Sequence, residues 1–227
     1  MKSFSSKQLL GTLAVIGLIL AGLMVFMWSP LESSMGWVQK IMYIHVPSAW
    51  TSFLAITIAF VFSVLYLWKR KEQYDIVALC SVEIGVVFCA LALITGSIWA
   101  KPTWNTYWTW DARLTTTLIL FLIFAGYLLL RRFSEYGEQQ ARLASVVAII
   151  GFLDIPLIHL SVVWWRTLHQ PSTIFSTRSN VIDDQILRTL LFSITVFSIL
   201  YLFLLISRIE LEAKKRMYMK STISYGR

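Results

Sequence analysis

Two residue types in this chain can do chemistry together: indoles and imidazoles. The segment Trp99-Ala-Lys-Pro-Thr-Trp104-Asn-Thr-Tyr107-Trp108-Thr-Trp110-Asp111-Ala-Arg113-Leu-Thr holds four tryptophans and a tyrosine within a dozen residues. A plain connecting loop favours small and polar residues. Indoles instead offer large rigid faces to a flat apolar ligand, each with one N–H to place. Lys101 and Arg113 supply cations for an anionic edge. His45 stands two residues before Pro47, and His159 three residues after Pro156. Two neutral imidazoles facing each other across a gap are natural axial ligands for a haem iron. Haem also needs a flat apolar wall and cations for its propionates, and the tryptophan segment offers both. The competing reading of that segment is an interfacial aromatic belt.

The elements that must position these residues are membrane helices. The chain has 227 residues, 57% of them hydrophobic and only 14% charged, which is too apolar for a soluble domain. Apolar runs at about 9–28, 47–68, 76–98, 114–130, 143–163 and 186–206 predict six spans. The first is too long for a signal-peptide core, and no A-x-A site follows at Ser29-Pro30, so it is expected to stay as a span. The whole of 1–227 is read as one six-helix domain, with residues 99–115 as a loop within it.

The charge pattern orients the helices. Fourteen of the 20 Lys and Arg residues fall on the side of the two termini, among them Lys69-Arg70-Lys71, Arg131-Arg132 and the C-terminal tail. The positive-inside rule then places both termini in the cytoplasm and the tryptophan loop on the outer face. All three histidines and nine of the ten tryptophans fall on that outer side. A plain aromatic belt populates both interfaces, so the asymmetry favours a ligand platform. The formal charge of +8 is read as a determinant of topology, without nucleic acid as a partner.

Other chemistries find little support. Cys80 and Cys89 lie inside an apolar run and read as small buried hydrophobes. There is no C-x-x-C-H for covalent haem and no G-x-x-x-x-G-K-[ST] for phosphates. No nucleophile–base pair stands out, so the chain is expected not to be an enzyme. A transmembrane electron-transfer cytochrome fits poorly, because no histidine lies near a bilayer centre. His169, alone in a polar loop, reads as an ordinary surface residue. Glu83 and Asp154 are the only intramembrane carboxyls, on different helices and at different depths. They do not outline a conduit.

The tryptophan segment resembles the WWD signature of haem-handling proteins in cytochrome c maturation. Ile41-Met-Tyr-Ile-His45-Val-Pro47 and Ile158-His159-Leu-Ser-Val-Val-Trp164-Trp165-Arg-Thr-Leu-His169-Gln resemble the CcmC (HelC, CycZ) family within it. The resemblance covers nearly the whole chain. It implies an all-α integral membrane protein of the bacterial inner membrane, with its haem site on the periplasmic face. It implies that the chain holds haem b non-covalently and transfers it to the chaperone CcmE. The partners it implies are the ABC-type proteins CcmA and CcmB and the small membrane protein CcmD. A haem channel or exporter subunit is the alternative. His45 and His159 are the expected iron ligands. Trp99, Trp104, Trp108, Trp110, Asp111 and Arg113 are the expected haem-binding residues, Asp111 chiefly by ordering the loop. Ala100 and Asn105 stand where the family is expected to have glycines, and Tyr107 where tryptophan is common.

Overall fold

The computed structural model describes residues 6–165, 168–169 and 182–225. Its elements are α1 (Ser6–Leu23), α2 (Met42–Lys69), α3 (Glu72–Trp104), α4 (Ala112–Phe133), α5 (Glu138–Phe152), α6 (Asp154–Trp164) and α7 (Asp184–Tyr225). A π-helical turn (Met24–Trp28) prolongs α1, and a 3-10 turn (Trp37–Ile41) leads into α2. Six helical stretches are long and apolar enough to cross a membrane. The fifth consists of α5 and α6, with a break at Leu153. Pro156 explains the break: it has no N–H to donate to the Phe152 carbonyl one turn earlier. The Leu153 N–H turns instead to the Ile150 carbonyl at 3.1 Å.

The six crossings agree with the sequence reading, but three boundaries differ. α2 begins at Met42, so Pro47 is a buried residue inside the helix and not its first turn. α3 continues through Trp104, which puts Trp99 and Trp104 on a helix and shortens the irregular loop to residues 105–111. α7 runs on to Tyr225, well past residue 206. Lys2, Arg166, Arg178 and Arg227, which entered the charge count, lie outside the described residues, as does the middle of the 164–185 loop.

Small residues let α2 and α3 pack closely, as membrane helices require when apolar burial alone does not drive association. Ala55, Ala59, Ala78, Ser81, Gly85, Cys89 and Ala92 are all buried. Ser52 donates to the Gly85 carbonyl at 3.0 Å and Ser81 to the Ala55 carbonyl at 2.7 Å. α7 lies across this pair and is tied in by Tyr201, whose hydroxyl meets Ser81 at 2.6 Å. α4 packs against α3, α5 and α6, while α1 sits outside against α7. Cys80 and Cys89 are free and buried, as small hydrophobes would be.

Helix alternation gives the bundle two unlike ends. The basic end holds the α2–α3 and α4–α5 turns and the C-terminal half of α7. There Asp75 is paired with both Arg131 and Arg216, all three side chains at most 7% exposed. Arg216 also donates to Glu212, and Glu72 accepts from Lys220 and Tyr136. The other end, the tryptophan end, carries the start of α2, the end of α3, the start of α4, the end of α6 and the start of α7.

Candidate functional site

At the tryptophan end the 105–111 loop joins α3 to α4. Asn105 ends α3 in the left-handed conformation, φ 59°. Asparagine tolerates that region better than most residues, so it serves here where glycine is the usual choice. Lys101 donates to the Asn105 carbonyl at 3.1 Å and lies over the Tyr107 ring. It closes the loop, and that accounts for its charge. Thr106 donates to the Trp108 carbonyl at 3.0 Å. Asp111 then caps α4, accepting from the Leu114 N–H at 2.9 Å. The loop is thus held at both ends by its own polar residues, leaving its indoles to face elsewhere.

His45 sits in the first turn of α2 and turns toward α3. Its Nδ1 lies 3.0 Å from the Ala92 carbonyl and 3.2 Å from the Thr95 hydroxyl. A carbonyl only accepts, so Nδ1 carries the proton and Nε2 keeps a free lone pair. The ring meets Trp99 edge-on, centroids 5.7 Å apart.

His169 was expected to be an isolated surface residue, and here the structure differs. Its Nδ1 lies 3.2 Å from Asp111 Oδ2, and its ring meets Trp104 edge-on at 4.8 Å. Asp111 therefore caps a helix with one oxygen and orients an imidazole with the other, again leaving Nε2 as the lone-pair nitrogen. His169 acts on His45 electrostatically, and Arg113 acts on both. Burial holds the His169 imidazole below its ordinary range; the Asp111 carboxylate opposes that shift and Arg113 adds to it. Nothing local in the sequence marks this partnership, since Asp111 and His169 are 58 residues apart.

His159 is placed elsewhere. It is exposed on α6, its Nδ1 is 3.0 Å from the Ile155 carbonyl, and its ring packs against Phe53 at 5.3 Å. Phe53 is eight residues further along α2 than His45, about 12 Å deeper at 1.5 Å per residue. The ring contact thus sets His159 beside a deeper part of α2 than the turn that carries His45.

The remaining predicted residues surround His45 and His169. Trp108 meets Trp110 edge-on at 5.6 Å, and Trp110 is 77% exposed. The indole nitrogens of Trp99 and Trp108 are buried and, among the described residues, have no acceptor. A buried donor without a partner costs about 1–3 kcal/mol, so these two N–H groups ask for an oxygen that the described residues do not supply. Arg113 is half-buried and, among the described residues, no carboxylate lies within ion-pair distance of its guanidinium. Among the described residues the arrangement offers two imidazoles held at Nδ1, indole walls, two orphan N–H donors and one cation without an ion pair.

The two intramembrane carboxyls part company. Glu83 is paired with Arg208 of α7, Nη2 to Oε2 at 2.6 Å. Asp154 is buried at the α5–α6 break with Oδ2 unpartnered among the described residues. They share no path. A cleft of about 300 Å³ opens at the basic end, lined by Tyr66, Arg70, Asp75, Tyr136 and Arg216 among others. Its walls are charged pairs without an apolar platform, unlike the tryptophan end.

Comparison with known proteins points the same way. The family described as Heme exporter protein C matches residues 3–224. The chain is 37% identical to Heme exporter protein C of Bradyrhizobium diazoefficiens over 203 residues, 89% of this chain and 77% of that protein. It is 35% identical to the protein of that name in Haemophilus influenzae over 216 residues, 94% of this chain and 83% of the other. A ccmC-like mitochondrial protein of Marchantia polymorpha, named for cytochrome c biosynthesis, is 42% identical over 146 residues, 64% of this chain and 61% of its own.

Proposed function

From the premise that the chain belongs to the Heme exporter protein C family, a multi-pass membrane protein with a role in haem handling for cytochrome c maturation, we propose that it is a haem-holding and delivery subunit. It binds haem b non-covalently at the periplasmic face of the bacterial inner membrane and passes it to the chaperone CcmE. It works in a complex with CcmA, CcmB and CcmD. Both termini then lie in the cytoplasm, where the basic end meets the positive-inside rule.

The observation that carries this reading is the convergence of His45, His169, Arg113 and two orphan indole N–H groups at one end of the bundle. These residues fit haem as cargo. Its iron takes two neutral imidazoles, and His45 and His169 each hold Nδ1 on an oxygen, the tautomer in which Nε2 is the coordinating nitrogen. Its propionates suit the Arg113 guanidinium and the Trp99 and Trp108 N–H groups. Its flat apolar faces suit the indoles of the 105–111 loop and the end of α3. His45 and His169 are thus preferred over His45 and His159.

What the chain's own residues do follows from their anchoring. His45 is fixed to the membrane-embedded body of α3. His169 meets Asp111 of the loop and Trp104 at the end of α3, beside the exposed Trp110. The two ligands therefore belong to different elements: His45 to the helical body, and His169 to the face where a chaperone would dock on Tyr107 and Trp110. That division suits transfer. Beyond the two imidazoles on iron, no side chain needs to bond covalently to the porphyrin, so the chain acts as a carrier and not an enzyme. Any attachment of haem to CcmE is helped by positioning alone.

The conduit reading rests on one observation, the unpartnered Asp154 carboxyl in the broken crossing. Asp154→Asn decides between the two. If haem stays bound but no longer reaches CcmE, the conduit is favoured; if delivery persists, the carrier is. The carrier reading itself is checked by co-purifying CcmE with the haem-loaded protein. Haem should leave with CcmE from the wild type. A Trp110→Ala variant should keep haem and fail to recruit CcmE; haem moving to CcmE equally well in that variant would contradict the docking role.

A further inference from the structure

Glycine inside a long membrane helix needs a reason, because it costs about 1 kcal/mol against alanine. Gly96 lies in the last third of α3, and its reason is His45. A Cβ at residue 96 would stand 2.8 Å from His45 Cε1, 3.3 Å from Nδ1 and 3.8 Å from Nε2. The imidazole lies across the bare Cα of Gly96, closer than any side chain would permit. From there Nδ1 reaches the Ala92 carbonyl one turn earlier, at 3.0 Å, and the Thr95 hydroxyl at 3.2 Å. Thr95 spends its own proton on the Leu91 carbonyl at 2.7 Å, which turns a lone pair toward His45. Two acceptors then face one nitrogen, and the other ring nitrogen makes no hydrogen bond among the described residues.

We propose that Ala92, Thr95 and Gly96 form a seat on α3 that fixes both the tautomer and the reach of His45, with Gly96 as the positioning residue. The inference rests on His45 being an iron ligand. It goes further in saying what holds His45 to the helical body. Its neighbour in space, Trp99, closes the seat one turn above Thr95 and stops the ring from swinging outward. Any side chain at residue 96 moves the ring off the seat. It lengthens the Nδ1–H bond to Ala92 and carries Nε2 away from the position that His169 faces. The seat also sets how strongly His45 donates to iron, since an imidazole whose N–H is held by a carbonyl is the more basic ligand.

The test uses the full chain, haem-loaded and purified in detergent, with absorption and electron paramagnetic resonance spectra and the midpoint potential as readouts. Gly22, where an added Cβ meets nothing within 4 Å, gives the control Gly22→Ala. The wild type and Gly22→Ala should give the same six-coordinate low-spin haem. Gly96→Ala should give mostly five-coordinate high-spin haem, and free imidazole should restore the low-spin spectrum. Thr95→Val should stay low-spin with a potential shifted upward, because one of the two acceptors for Nδ1–H is gone. A low-spin Gly96→Ala overturns the seat, and so does a high-spin Gly96→Ala that imidazole leaves unchanged. If Gly96→Ala does not accumulate, Thr95→Val decides, and an unshifted potential there overturns the seat. A wild type that binds no haem overturns the carrier function and the seat with it. A bis-histidine wild type with a failed seat leaves the carrier function standing.

Discussion

The two ends of the bundle treat their polar groups in opposite ways. At the basic end Asp75, Arg131, Arg216, Glu212, Glu72 and Lys220 answer one another across α3, α4 and α7, and among the described residues of that cluster Arg131 Nε alone is a buried atom without a partner. At the tryptophan end, among the described residues, polar groups are left open: the His45 Nε2, two indole N–H groups and the Arg113 guanidinium. Both arrangements cost desolvation. The first recovers it within the chain and ties three helices together. The second recovers it only when something else arrives. A closed network is a mark of structure and an open one a mark of binding.

The sharpest way to break that contrast is Asp75→Ala. It takes the carboxylate from the buried Arg131 and leaves Arg216 to Glu212 and Glu72, and removing one partner of a buried ion pair costs about 3–5 kcal/mol. Thermal melting in detergent should show that loss, while the folded fraction keeps an unchanged haem spectrum. A spectral change would mean that the ends are coupled.

Lys40 is the exception that sharpens the rule. It lies at the tryptophan end yet is fully used, donating to the Ser29 carbonyl at 2.7 Å and to Pro30 at 3.2 Å beyond the end of α1. Lys40→Met should cost about 1.5–3 kcal/mol in the same melt, as lost charged hydrogen bonds do. It should leave haem ligation alone.

Asp111 belongs to both classes, and two variants separate them. Asp111→Ala loses the cap of α4, about 1 kcal/mol, and also frees the His169 ring. Asp111→Asn retains an acceptor for the Leu114 N–H but weakens the hold on His169. Melting should separate Ala from Asn; the spectrum should be altered in both. The smallest effect is expected at Glu32, whose carboxylate is held below its usual range by the Ser34 hydroxyl and the Met35 N–H. A lowered folded value means that its contribution is whole above the ordinary glutamate range and is lost as pH falls through and below it. Hydrogen exchange at Ser34 and Met35 should quicken in that window. Glu32→Gln should remove the pH dependence.

Much of this was legible in the sequence. Six apolar runs gave six crossings, because the length of a span follows directly from hydrocarbon thickness. Asp111 does order its loop, and Cys80 and Cys89 are buried. The helix ends were less legible. α3 extends through Lys101-Pro102-Thr103-Trp104 although that segment looks like a loop; Pro102 gives up the bond to the Ile98 carbonyl one turn earlier, but its exposed ring sits on the last turns and the helix runs on to Trp104. The pairing of His169 with Asp111 was not legible at all. It depends on a loop from one crossing folding over a loop from another. The place of His159 beside Phe53 was not legible for a related reason. Helix ends fix a residue's place along its own axis, but only the packing of Phe53 against His159 and Phe60 against Phe152 fixes the register between α2 and the fifth crossing.

The central claim is that His45 and His169 close on one iron. The most direct measurement is the absorption spectrum of the purified, haem-loaded protein beside His45→Ala, His169→Ala and His159→Ala. The account predicts a bis-histidine spectrum in the wild type and in His159→Ala, and its conversion to five-coordinate or loss of haem in the other two. Conversion in His159→Ala with His169→Ala unchanged would contradict it.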